Sequence, residues 1–183
     1  MGYGYEQALH GNAFNPDTGE LAEYAELSKS SEGHLWQQSN IEEIARLAQG
    51  YKDIKGTDTI HFLPFDKIPP SRKATYLRIV SAFRPEKDNP RRIRWTVGGD
   101  RIDYAGNVST KTADLTTTKC LFNSVISTEN GKFMTIDLKD FYLGTPMAQY
   151  EYIRIPCSVI PTEIMDAYNL HGLVHNGAVY VEI

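Results

Sequence analysis

Two cysteines in 183 residues, Cys120 and Cys157, are too few and too unlike in context for a disulfide framework or a zinc site. No apolar run approaches the roughly 20 residues that cross a bilayer. The opening MGYGYEQALHGN has neither the basic flank nor the apolar stretch of a secretory signal. A soluble chain in a reducing intracellular compartment, cytoplasmic or nuclear, with no membrane partner, is the expectation. A Gly-x-Ser-x-Gly elbow is absent, and neither cysteine has a histidine placed to activate it. The Gly98-Gly99 pair lacks the glycine and lysine spacing of a phosphate-cradling loop and reads as a strand terminator. Internal repeats, low-complexity tracts and adjacent aspartates are also missing.

What remains is ordinary globular material, 41% hydrophobic and 23% charged, of the size of one domain or one piece of a larger one. The net charge of −4 hides an asymmetry. Glu6, Asp17, Glu20, Glu23, Glu26, Glu32, Glu42 and Glu43 face only Lys29 and Arg46 in the first part of the chain. From Arg72 to Arg101 the balance inverts, and a polyanion is expected to meet the chain there, if anywhere.

Residues Met1 to Gly19 show no period and read as a loosely held lead-in outside the core. Glu20 to Ser28 reads as a short exposed helix. A second helix is expected from Ser39, whose S-x-x-E spacing to Glu42 suits a capping box, to a stop at Gly50. Thr59 to Leu63 is a strand ended by Pro64. Ala74 to Phe83 and Arg91 to Val97 form the arms of a β-hairpin around the polar loop Arg84–Pro90. Side chains alternate along a strand, so Arg92, Arg94 and Thr96 fall on one face and Ile93, Trp95 and Val97 on the other. Ala113 to Ser127 has the spacing of a helix with a buried face, capped by Thr112 or Asp114. Strands are expected at Lys132–Asp137, Tyr152–Ile155 and Ala178–Ile183, with a helix from Pro161 through Tyr168. The final strand reaches Ile183 without a turn, cap or polar tail, which reads as truncation.

Two constellations could carry chemistry. Asp137 stands at the end of an apolar run, where a rigid carboxylate suits a hard cation, and Tyr142 follows where an aromatic ring could lie against a substrate. The same spacing suits Asp137 as a cap, Asp140 as a solvated carboxylate and Tyr142 as core. The guanidinium groups of Arg78, Arg84, Arg92 and Arg94 suit phosphates, or else form a solvated surface. His171 and His175 lie four apart, but Gly172 and Asn176-Gly177 make that stretch a loop.

Taken in order, these segments resemble the N-terminal half of a reverse transcriptase of the Ty1/copia class of LTR retrotransposons. Arg91-Arg92-Ile93-Arg94-Trp95-Thr96-Val97-Gly98-Gly99 resembles the family's basic fingers strand, followed by Ile102-Asp103-Tyr104. Leu115-Thr116-Thr117-Thr118-Lys119-Cys120-Leu121 resembles its Thr-rich helix start. Asp137-Leu138-Lys139-Asp140-Phe141-Tyr142-Leu143 is similar to polymerase motif A, and Tyr152-Ile153-Arg154-Ile155-Pro156 to the segment after it. The likeness covers residues 58 to 183.

The resemblance implies an α+β fold with a fingers β-hairpin and a partial palm of antiparallel sheet and packed helices. Its expected divisions are an acidic extension at 1–57, fingers at 58–111 and palm at 112–183. Asp137 would bind catalytic Mg²⁺, and Tyr142, beside Asp140, would exclude a 2′-hydroxyl. Arg92 or Arg94 would grip the incoming deoxynucleotide triphosphate, and Arg78 and Arg84 would hold nucleic acid. Template-primer, deoxynucleotides and the rest of a polyprotein are the implied partners. The sequence departs from the common copia pattern at Asp140, where asparagine is usual, and at Phe141, where a small residue is usual. The adjacent aspartates that the family supplies in a later hairpin, to complete the metal site with Asp137, have no counterpart in these residues, so the chain alone is expected to be inactive. A non-catalytic nucleic-acid-binding module is the alternative.

Overall fold

The computed structural model describes residues 13–102, 106 and 112–183. The lead-in over residues 1–12 and the Asp103-Tyr104 pair lie outside them. The chain divides into two compact units, Met1–Ile102 with Tyr142–Ile183, and Asp103–Phe141.

In the larger unit, β1 (Ala13–Phe14) pairs with β2 (Leu21–Ala22), and a short α1 (Tyr24–Leu27) follows. This corrects two expectations. Ala13 of the lead-in and Ala22, Tyr24 and Leu27 of the expected exposed helix are buried around Trp36 and Ile93, so one side of this stretch joins the core while residues 16–21 stay exposed. Helix α2 (Gly33–Leu47) then begins six residues before Ser39. Ser39 is not its cap: the serine is buried within the helix, because its hydroxyl is needed at the hairpin described below.

A small hairpin of β3 (Gly50–Tyr51) and β4 (Ile54–Lys55) leads to β5 (His61–Leu63), stopped by Pro64 as expected. β6 (Thr75–Phe83) and β7 (Arg91–Val97) form the expected hairpin, paired from Leu77–Val97 to Phe83–Arg91. Gly98 and a 3₁₀ turn at Gly99–Arg101 end it. After the second unit come β8 (Tyr152–Pro156), a short helix (Thr162–Ala167) and β9 (Ala178–Glu182).

The strands assemble in the order β5-β9-β8-β6-β7. This sheet is mixed, not antiparallel: β6 and β8 run parallel at Thr75–Ile153 and Tyr76–Arg154. Parallel neighbours require a long connection, and residues 84–151 supply it. One sheet face is packed. Ile153, Ile155, Val179 and Val181 meet Ile44, Leu47 and Ala48 of α2, with Ile164, Met165 and Leu170 completing the cluster. On the other face Leu63, Tyr152, Ala178 and Tyr180 are covered by Ile68 and Ala74, while the hairpin end of that face is exposed.

The second unit contains α3 (Leu115–Ser127), capped by Asp114, whose carboxylate accepts the Thr117 N–H at 2.7 Å. With α1, α2 and α3 numbered, the Thr162–Ala167 helix is α4. The expected buried face of α3 is not found: none of its residues is buried, and Ile126 is 83% exposed. Helical spacing creates an apolar stripe, but burial needs a receiving surface. Phe133 meets Phe122 edge to face, with ring centroids 5.0 Å apart, and both rings stay partly exposed. The expected strand at Lys132–Asp137 is absent as well. Residues 131–138 are exposed and irregular, because a β-forming run becomes a strand only beside a backbone that completes its ladder.

Candidate nucleic-acid interface

Strand alternation builds the site. Antiparallel partners share a face, so the pairs Arg78–Thr96, Val80–Arg94 and Ala82–Arg92 bring three arginines onto one side of the hairpin. Arg78, Arg92 and Arg94 are exposed there, while Ile93, Trp95 and Val97 pack inward. Arg84 continues the ladder through its N–H, which donates to Pro90 O at 2.6 Å, and it is half-buried at the loop. Among the described residues, Arg78, Arg84, Arg92 and Arg94 form no salt bridge. Desolvation first, and then the charges of Arg94 and Arg84, draw the Arg92 guanidinium below its ordinary pKa. The like charges of Arg94 and Arg84, partly offset by Glu43, concentrate positive charge on this face, where an anion would lower the electrostatic energy.

Helix α2 fixes this hairpin from its packed side. β7 is an edge strand, and an edge exposes backbone groups that need partners. Ser39 Oγ donates to Arg91 O at 3.0 Å and accepts from Ile93 N–H at 3.2 Å. Asn40 accepts the Trp95 indole N–H at 2.8 Å and donates to the Tyr24 hydroxyl and to Val159 O. At the rim, Arg91 pairs with Glu32 at 2.5 Å and Glu43 with Arg46 at 2.8 Å. Between α2 and the hairpin loop lies a groove of about 280 Å³, walled by Glu42, Glu43, Arg46, Arg84, Lys87 and Arg92.

An aromatic residue joins the cationic face. Tyr76 has the same parity as Arg78, its hydroxyl donates to Asp100 at 2.9 Å, and the Arg101 guanidinium lies 5.0 Å from its ring centroid. The Asp100 hydrogen bond, helped by the Asp100 charge, raises the Tyr76 pKa. Gly98 permits this arrangement, since a Cβ there would stand 2.4 Å from the Tyr76 ring. The glycine is therefore a seat for the ring as well as the end of a strand.

The motif A residues stand elsewhere. Asp137 is exposed in the irregular stretch of the second unit. Asp140 lies in the turn at 139–144 with φ +56°, a left-handed conformation that aspartate tolerates better than most residues. Tyr142, in the larger unit, is 80% exposed and so is not core. Clamping two Mg²⁺ ions takes carboxylates from two elements. Among the described residues no group of three or more His, Cys, Asp or Glu side chains is gathered, so these residues alone do not fit such a centre.

The two histidines are engaged separately: His171 pairs with Asp166 at 2.8 Å, and His175 stacks on Phe65. Among the described residues no helix is long and apolar enough to cross a membrane. Sequence reading missed Tyr76, whose parity with Arg78 was the available signal. It also missed Arg46 and Lys87, which reach the groove only through the packing of α2 on β7. No family model, curated protein or solved structure matches this chain.

Proposed function

We propose that the chain is the fingers and partial palm of an RNA-directed DNA polymerase of a copia-like element. In this reading the intact protein adds deoxynucleotides to a primer by Mg²⁺-assisted phosphoryl transfer. The hairpin face holds the phosphates of nucleic acid or of the incoming nucleotide. The observation that carries the reading is the convergence of Arg78, Arg92 and Arg94 on one exposed face, within the segment that resembles the family's basic fingers strand. Support also comes from the order of the remaining motifs, with Asp137 as the metal ligand, Asp140 and Tyr142 beside the sugar, and Arg84 at the edge of the cationic face.

A non-catalytic nucleic-acid-binding module is the second reading. It is favoured by the exposed, irregular setting of Asp137 and by a cationic face that needs no metal. The coding DNA beyond the Ile183 codon separates the two. The polymerase reading expects an open frame that reaches a strand-turn-strand with adjacent aspartates, and expects Asp137→Asn in that longer protein to abolish primer extension while template-primer binding persists. A stop codon at that position, or extension unchanged by Asp137→Asn, overturns it.

A further inference from the structure

The loop after β5 builds a second concave surface that the hairpin does not use. Pro64, Pro69 and Pro70 restrict its backbone around the 3₁₀ turn Phe65–Lys67. The Phe65 ring, 45% exposed, stacks on His175 with centroids 4.1 Å apart and planes 2° from parallel. It also meets Tyr180 at 5.0 Å. Beside these rings opens a groove of about 680 Å³, within the range of small-ligand sites. Ile68, Pro69 and Tyr180 line its apolar side.

Its rim is cationic. Arg154 lies directly opposite Tyr180 in the β8–β9 ladder, and Lys73 is exposed with no salt bridge among the described residues. Arg72 is engaged by Glu151 and by Tyr150 O, and Asp66 is the one acidic residue lining the groove. The lining thus carries three cationic side chains and one anionic one. An exposed aromatic ring on an apolar wall beside such a rim suits a planar ring that carries negative charge, since stacking and charge-assisted hydrogen bonds then act on one ligand.

We infer that this groove binds a nucleotide, its base against the exposed Phe65 ring and its phosphate on Lys73 and Arg154. The ligand is a free nucleotide or an unpaired nucleotide of a strand. The second source has a route, because Arg154 neighbours Tyr76 in the β6–β8 register and Tyr76 shares its face with Arg78. The groove shares no residue with the arginine face, so it stands or falls apart from the polymerase reading.

The test is an NMR titration of the isotope-labelled 183-residue chain with AMP, adenosine, ribose 5-phosphate and a short oligodeoxyadenylate. AMP is expected to shift the Phe65, Ala74 and Tyr180 resonances, with adenosine and ribose 5-phosphate each binding about tenfold more weakly. Lys73→Gln, at an exposed position that leaves the fold intact, should weaken AMP by a similar factor. Phe65→Ala should do the same through lost stacking. Oligodeoxyadenylate binding tighter than AMP, with the gain lost in Arg78→Gln, assigns the strand; equal binding assigns the free nucleotide. Unmoved Phe65 and Tyr180 resonances at millimolar AMP, ribose 5-phosphate binding as tightly as AMP, or an unchanged affinity in Lys73→Gln overturns the inference.

Discussion

Asn40 is fully buried, and its amide holds three neighbours at once: the Tyr24 hydroxyl, Val159 O and the Trp95 indole. Removing it leaves buried partners unsatisfied. Asn40→Ala should destabilise the larger unit by about 2–3 kcal/mol, read as a lower urea midpoint at an unchanged slope. Ser81 gives the opposite case, since it is buried and its hydroxyl has no hydrogen-bond partner among the described residues. Ser81→Ala should therefore be neutral or stabilising by up to ~1 kcal/mol in the same assay.

Asp114 supplies a pH signature. The Thr117 N–H lowers its folded pKa below the ordinary carboxylate value. A depressed acid stabilises the fold above its unfolded pKa, and that contribution disappears as pH falls through the folded pKa. The start of α3 should thus keep its Thr117 amide protection through mildly acidic pH and lose it only below the ordinary aspartate range. Asp114→Asn, which caps without titrating, should remove that dependence. Protection unaffected by pH in the native chain would contradict the cap. Sequence offered Asp114 or Thr112 for this role, because either stands before the first apolar turn. It misassigned Ser39, because a capping-box spacing cannot reveal that an edge strand fifty residues away needs the same hydroxyl.

At the scale of elements, α2 and α3 are both long amphipathic helices with contrasting surroundings. α2 buries nine of its residues, while none of α3 is buried. Local opening is opposed mainly by buried contacts, so α3 amides should exchange with deuterium faster than those of α2. Equal protection in the two helices would mean that α3 has a covering surface. The hairpin and β5, β8 and β9 were legible in the sequence because alternation, proline and glycine bound them locally. The Lys132–Asp137 strand was misread because its residues favour extended backbone, while strand formation depends on a distant ladder partner. The parallel contact of β6 with β8 was equally invisible, since it joins residues separated by the second unit.

Across the whole molecule, the acidic first part of the sequence proves to be scaffold for the basic part. Glu32 holds Arg91, and Glu43 accepts the Trp95 N–H at 3.4 Å, leaving Arg78, Arg84, Arg92 and Arg94 outside the salt bridges of the described residues. The net charge of −4 therefore conceals a face with a local excess of positive charge. The candidate site was half legible in the sequence: the arginine alternation was visible, whereas the wall contributed by α2 depended on tertiary packing.

The most direct measurement is the anisotropy of a labelled template-primer duplex titrated with the 183-residue chain at several salt concentrations. Four phosphate contacts predict a slope of log K against log salt near −3.6, or about a hundredfold loss between roughly 50 and 200 mM. The double variant Arg92→Gln/Arg94→Gln should reduce that slope by about two, while Asp137→Asn leaves it unchanged. Binding that is absent at low salt, flat in salt, or indifferent to loss of the two arginines would contradict the account.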